Sequence, residues 1–177
     1  NPSIVESLGR NKAHFFEPGL DEMIAKYNRK HFHCVESFPK DLPFDAFVIT
    51  VGTPLKQGTR SPDFDYIRAA IRTLQPVYDG SQVVILRSTV SVGTTRQIVI
   101  PFLKELLASG KRDTNPREPL VSMCPERTVE GKAVEELPRL PQIVSGNNSH
   151  AIAAARNVFL RIVPSVIEAK NLEEAEL

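Results

Sequence analysis

The stretch Gln82–Thr95, Q-V-V-I-L-R-S-T-V-S-V-G-T-T, decides how the chain is read. Val83 to Leu86 are four aliphatic residues in a row, the pattern of a strand buried on both faces, as parallel sheets require. The run breaks into the hydroxyl residues Ser88 and Thr89, then passes through Gly93-Thr94-Thr95 into a helix-like pattern. A strand, a polar turn and a helix make one βα unit. The turn of such a unit lies at the sheet edge where open α/β folds bind ligands.

The same arrangement occurs twice more. Ala46–Val51 reads as a buried strand ending in Gly52-Thr53-Pro54, and Leu120–Cys124 as a strand ending in Pro125-Glu126-Arg127. Shorter strands are predicted at His31–Val35, Ile143-Val144 and Ile162–Ile167. Helices are predicted from a capping box at Ser3–Glu6 to Gly9, from Pro18 to Tyr27, and from Pro62 to Gln75 with Ser61 as cap. Another runs from Thr94 to Leu107, where Pro101 cannot donate to the Gln97 carbonyl and predicts a kink or a late start. A short helix is expected at Ala133–Leu137, and a longer one at Ser149–Phe159 with Ile152, Ala155 and Phe159 inward. Lys111–Glu118 reads as a charged loop. Strands alternating with helices imply an α/β fold with a parallel sheet and right-handed crossovers.

Composition narrows the function classes. The chain has 177 residues, 41% of them hydrophobic and 24% charged, the profile of a globular domain with a substantial core. A net charge of +1 gives no basis for a nucleic-acid or membrane-surface partner. No apolar run approaches the ~20 residues that span a bilayer, and no signal peptide opens the chain, so a cytoplasmic location is expected. Cys34 and Cys124 make no disulfide framework and fit a reducing compartment. The chain opens on Asn1 and closes in an acidic, helix-prone run, N-L-E-E-A-E-L, so both ends look cut.

The three turns carry the chemistry. Small residues with free backbone N–H groups, plus hydroxyls, suit a phosphate or ribose close to the backbone. Gly52 lets the chain approach a ligand, and Thr53 and Thr89 add short donors, although glycine and threonine also simply make turns. Glu126 directly follows a strand and a proline, so it projects into the crevice. There it is either a general base or an ion-paired glutamate, with Arg127 adjacent. His31, His33 and Cys34 lack the spaced partner a metal site needs. Both cysteines lie within or at the end of apolar strands and read as inert thiols. G-x-G-x-x-G, a P-loop, G-x-S-x-G and H-E-x-x-H are all absent.

Four motifs in order, F-F-E-P-G-L (15–20), V-G-T-P-L (51–55), S-T-V-x-x-G-T-T (88–95) and C-P-E-R-T-V-E-G (124–131), resemble the UDP-glucose/GDP-mannose dehydrogenase family. The resemblance runs across essentially the whole chain. It implies a Rossmann-like doubly wound parallel sheet that binds NAD, incomplete because the first β-α-β segment is absent. It also implies a partial NAD-binding domain at 1–170, with 171–177 starting the helix that connects to a central, substrate-binding domain. In that family two hydride transfers to NAD oxidise the C6 alcohol of a nucleotide sugar to a carboxylate, through a cysteine thiohemiacetal and thioester. Carried over by motif, Val51, Gly52, Thr53, Pro54, Leu55, Ser88, Thr89 and Val90 line NAD, with Glu130 near it. Thr89 sits by the nicotinamide and positions water, and Glu126 is the base for thioester hydrolysis. The backbone from Glu126 to Glu130, that is Glu126, Arg127, Thr128, Val129 and Glu130, contacts the sugar-phosphate of a UDP-sugar. P-E-R in place of P-E-F looks more like the branch acting on UDP-N-acetylhexosamines, such as UDP-N-acetylmannosamine.

The resemblance also places features outside the chain. The family's glycine fingerprint would precede Asn1. Its catalytic lysine, asparagine, nucleophilic cysteine and aspartate would follow Leu177. Neither cysteine here occupies the nucleophile's motif, and Cys124 stands where the family commonly has Ser or Asn. The expectation is therefore a cofactor-domain fragment, inactive alone, from an enzyme for polysaccharide precursors that is a homodimer when intact. Two alternatives stay open: a β-hydroxyacid dehydrogenase-type enzyme working in one oxidation step, and a non-catalytic nucleotide-binding module.

Overall fold

A computed structural model of the chain describes residues 1–109 and 118–177. The expected charged loop at Lys111–Glu118 lies almost wholly outside them. The chain runs α1 (Pro2–Gly9), α2 (Leu20–Tyr27), β1 (Ala46–Ile49), α3 (Asp65–Thr73), β2 (Val83–Leu86), a π-helical turn (Thr95–Val99) leading into α4 (Ile100–Ser109), β3 (Leu120–Met123), α5 (Ala133–Glu136), β4 (Gln142–Gly146), α6 (Ser149–Phe159), β5 (Val166–Glu168) and α7 (Leu172–Ala175).

The strands form one sheet in the order β1-β2-β3-β4-β5. β1, β2 and β3 are parallel, with Ala46 opposite Val83 and Val83 opposite Leu120. The sheet is not parallel throughout: β4 runs antiparallel to β3, pairing Met123 with Ser145, and β5 is parallel to β4. Only the segment 124–141 joins β3 to β4, and the one helix in it, α5, is four residues long and has no buried residue. No helix covers the sheet between these two strands, as a parallel crossover would require.

Helices flank both faces, and the all-aliphatic β2 divides its side chains between them. Val84 and Leu86 join Phe47, Ile49, Ile67, Ile71, Leu103, Val121 and Leu172 in the larger core. Val83 and Ile85 join Val144, Ala155 and Phe159 in the smaller. Ile67 and Ile71 are fully buried one helical turn apart on α3, and each contributes about 1.5–3 kcal/mol by leaving water. β1 is less buried than expected: it pairs on one side only, and Val48 is 46% exposed beside the buried Phe47 and Ile49.

Several local expectations are corrected. Asn1, not Ser3, caps α1, its side chain accepting from the Ser3 N–H. The α2 helix starts at Leu20, after Pro18. Ser61-Pro62 caps nothing; Pro62 bridges to Leu55, and α3 begins at Asp65. His31–Val35 forms no strand: Phe32 makes a lone bridge to Asn28, and no strand among the described residues pairs with the segment to complete a ladder. Ile152 is only half-buried while Ala151 takes the inward position on α6. Pro101 acts as expected: the turn before it is wound wider, with the Ile100 N–H donating to the Thr95 carbonyl.

Candidate functional site

The loops leaving β1, β2 and β3 are bonded to one another at the carboxyl edge of the parallel strands. The Ser88 hydroxyl donates to the Val51 carbonyl at 2.6 Å, and the Thr53 hydroxyl to the Thr89 carbonyl at 2.5 Å. The Glu126 N–H donates to the Arg87 carbonyl at 3.3 Å. These bonds make three sequence-distant turns one rim. They also revise the expected donor set, since the Ser88 and Thr53 protons serve to tie the loops. Thr89 is exposed, and its hydroxyl donates to nothing among the described residues. A Cβ added to Gly52 would meet nothing within 4 Å, so open space lies over this turn. Pro54 and Leu55 are exposed, Val51 and Val90 half-buried.

Gly93 ends the β2 loop with φ +91, a conformation costly for any side chain. Its N–H donates to the Glu176 carboxylate at 2.5 Å, as do the Thr95 N–H at 2.7 Å and the Thr95 hydroxyl at 2.6 Å. Arg96 adds a two-pronged pair with Glu173. Residues 172–176 are thus fastened both to the core, through Leu172 and Ala175, and to the loop that carries Thr89.

Glu126 is the most constrained charge on the rim. One of its oxygens accepts the Arg127 and Thr128 N–H groups at 2.9 and 3.0 Å, and the other pairs with the Arg87 guanidinium. Partial burial pushes its carboxyl up, but the hydrogen bonds from Arg87 and Thr128 and the Arg87 charge outweigh this and hold it below the usual carboxylate range. The ion-pair reading of Glu126 is therefore right in kind, but the partner is Arg87; the Arg127 guanidinium turns to the Pro141 carbonyl. The side chain remains 42% exposed and open to solvent.

The segment after Glu126 is held by two more carboxylates. Val129 N–H donates to Glu136 at 2.9 Å. Gly131 and Val134 N–H donate to Glu17 at 2.9 and 3.2 Å. Four backbone donors between 127 and 131 thus already face carboxylates, while the side chains of Arg127, Val129 and Glu130 are exposed. Cys124 is fully buried, and burial pushes its thiol up to about 12, so it is no nucleophile at neutral pH.

Two residues of this site are not evident from the sequence. Arg87 reads as the start of a polar turn, yet it is 7% exposed. The only signal is its place at the carboxyl end of a buried strand, where side chains face the crevice. Glu17 sits in the F-F-E-P-G-L motif with no local pattern to mark it as a buried anchor for a loop more than a hundred residues away. A separate cavity of about 630 Å³, lined by Val35, Phe38, Arg72 and Pro76 among others, includes none of the rim residues.

An open α/β sheet flanked on both faces by helices, with small-residue loops interlocked at the carboxyl ends of its parallel strands, defines a nucleotide-binding domain of the dinucleotide type. The chain belongs to the UDP-glucose/GDP-mannose dehydrogenase family, whose NAD binding domain matches residues 1–163. It is 28% identical over 179 residues to the UDP-N-acetyl-D-mannosamine dehydrogenase of Campylobacter jejuni, a match spanning all of this chain and 44% of that protein. It is 29% identical over 182 residues to an NDP-N-acetyl-D-galactosaminuronic acid dehydrogenase of Ralstonia nicotianae, covering all of this chain and 42% of the relative. The solved UDP-D-ManNAc dehydrogenase of Pyrococcus horikoshii superposes with a TM-score of 0.84 at 27% identity, over 98% of this chain and 40% of that one. The chain thus spans less than half the length of the relatives it matches. NAD is the nucleotide of this domain. No helix among the described residues is long and apolar enough to cross a membrane.

Proposed function

We propose that this chain is the cofactor-binding part of an NAD-dependent 6-dehydrogenase of a UDP-sugar, which oxidises the C6 hydroxymethyl to a carboxylate in two rounds. The observation that carries the reading is the rim itself, where a held, solvent-facing Glu126 carboxylate stands beside loops whose small residues leave open space for a nucleotide. The family membership and the named relatives support it.

Val51–Leu55 and Ser88–Val90 hold NAD against the strand ends, with Glu130 beside it, and Thr89 offers its hydroxyl to the reacting end. Bound NAD supplies the two-electron acceptor for each round. Glu126 takes a proton from the water that hydrolyses a thioester formed on a cysteine outside this chain. The exposed side chains of Arg127, Val129 and Glu130, with Thr128, face the sugar-phosphate. The occupied N–H groups of this segment leave its side chains as the contacting surface. P-E-R at 125–127 and the N-acetylhexosamine-acting relatives favour a UDP-N-acetylhexosamine such as UDP-N-acetylmannosamine. The helix begun at Leu172 leads to the substrate domain of a homodimeric, cytoplasmic enzyme of polysaccharide precursor synthesis.

The test is NADH formation by the full-length protein with a panel of UDP-hexoses and UDP-N-acetylhexosamines. Two NADH per sugar are expected. Glu126→Gln should release both NADH of a single turnover and then stall with the thioester intact. Full turnover in that variant would favour a single-step dehydrogenase, and no NADH with any nucleotide sugar would end the proposal.

A further inference from the structure

Arg87 is a buried cation with three partners, and the proposed reaction does not by itself call on it. We infer that Arg87 is a positioning residue: with Gln142 and the ring of Phe159 it forms a buried clamp that orients the Glu126 carboxylate and holds it as the anion. The inference rests on the reading of Glu126 as the hydrolytic base.

The Arg87 side chain is 8% exposed, and a guanidinium so deeply placed persists only with several partners. It has three. It pairs with Glu126, donates to Gln142 Oε1 at 2.7 Å, and stacks its guanidinium carbon 4.9 Å from the centre of the Phe159 ring. The Gln142 amide has one possible orientation here. Its Nε2 faces the Pro125 and Ile143 carbonyls at 3.0 and 2.9 Å, so its oxygen turns to Arg87. A solvent-facing pair would have neither constraint.

At the other end both Glu126 oxygens are engaged, one by Arg87 and one by two backbone N–H groups, which fixes the carboxylate plane. Other charges near it are committed elsewhere. The Arg127 guanidinium donates to Pro141, Glu136 accepts from Val129, and Glu17 accepts from Gly131 and Val134; Glu130 is exposed, and Gln142 on β4 is neutral. Arg87 therefore governs the charge at this point.

In the hydrolytic step a water oxygen bonds to the acyl carbon, the carbon–sulfur bond breaks, and the cysteine leaves as thiolate. The water proton goes to Glu126. Only the ionised carboxylate can take it, and only from one direction if its plane is fixed. The Arg87 guanidinium is committed to Glu126, Gln142 and the Phe159 ring, and it acts through Glu126.

The test records kcat for NADH formation against pH in the full-length protein, with NAD and UDP-N-acetylmannosamine, for wild type, Arg87→Met and Arg87→Lys. The acidic limb should move up by about one to three pH units in Arg87→Met, the effect of a lost neighbouring cation on a carboxylate. Arg87→Lys should bring it most of the way back. The rapid first phase of NADH formation should keep its rate in both variants. An Arg87→Met limb that stays in place, or a kcat lowered by the same factor at every pH, would overturn the inference. If Arg87→Met does not fold, Gln142→Met decides: it frees the guanidinium from its anchor while keeping the charge, so the limb should move up by a smaller step, and a limb that stays in place would overturn the inference. Failure of the functional reading is seen separately, as absence of NADH from wild type. The clamp is then read from thermal unfolding. The folded pKa of Glu126 is depressed, so the stability it contributes is present above the unfolded carboxylate value and lost as pH falls through the folded one. The gap between wild type and Arg87→Met should shrink over that acidic window, and a gap independent of pH would count against the clamp.

Discussion

Glu17 joins the amino-terminal segment to the loop that follows Glu126, and its removal should be felt in both stability and local order. The residue is 8% exposed, and its two oxygens accept the Gly131 and Val134 N–H groups. Glu17→Ala leaves both donors without a partner in a part-buried position. A buried donor left unsatisfied costs about 1–3 kcal/mol. Partial access to water puts the pair nearer the lower end, about 2–4 kcal/mol together. In a domain of this size about 1 kcal/mol lowers the unfolding midpoint by roughly 2–4 °C. The expected fall is therefore on the order of 5–15 °C. Glu17→Gln should lose about half as much, because its oxygen still accepts one N–H while its NH₂ confronts the other. Thermal unfolding by circular dichroism measures the effect, and limited proteolysis reports whether cutting concentrates within 126–141. A Glu17→Ala midpoint within about 1 °C of wild type, with an unchanged cleavage pattern, would show that Glu17 does not hold the loop.

Two further outcomes follow from the packing. A Cβ at Gly146 would lie 2.9 Å from the Ile152 backbone nitrogen and 3.1 Å from the Ala151 Cβ, so Gly146→Ala should destabilise by about 1–3 kcal/mol in urea unfolding; an unchanged midpoint would mean that α6 gives way freely. Cys124, with its thiol pushed up to about 12 and no exposure, should resist iodoacetamide in the folded protein and react on unfolding, while the half-buried Cys34 reacts first; early modification of Cys124 by mass spectrometry would contradict this.

The elements legible in the sequence were those whose signal is local. β2 and β3 follow from short aliphatic runs, and α6 from helical spacing that starts and stops where predicted. The π turn before Pro101 follows from a missing N–H. What was illegible depends on partners elsewhere in the chain. His31–Val35 has strand-like residues but, among the described residues, only the single bridge from Phe32 to Asn28. Ser61-Pro62 has the chemistry of a helix cap, but the bridge to Leu55 takes that segment first. The direction of β4 is a property of the crossover, which its own few residues do not encode. At the site the three turns were found by their residue types and Glu126 by its position. Arg87 and Glu17 were not, since a buried charge is explained only by partners 39 and more than a hundred residues away.

The reversal of β4 changes what the segment 126–141 is. Because β3 and β4 are antiparallel neighbours, this segment leaves the sheet and re-enters it at nearly the same point, and the bond from Gln142 to the Pro125 carbonyl closes its base. It has the form of an Ω-loop. Residues can be exchanged, added or removed within such an excursion without shifting the strands at its mouth, which keeps Arg87 and Glu126 in register. The exposed side chains of Arg127, Val129 and Glu130 can therefore vary among related chains without disturbing the Arg87–Glu126 pair.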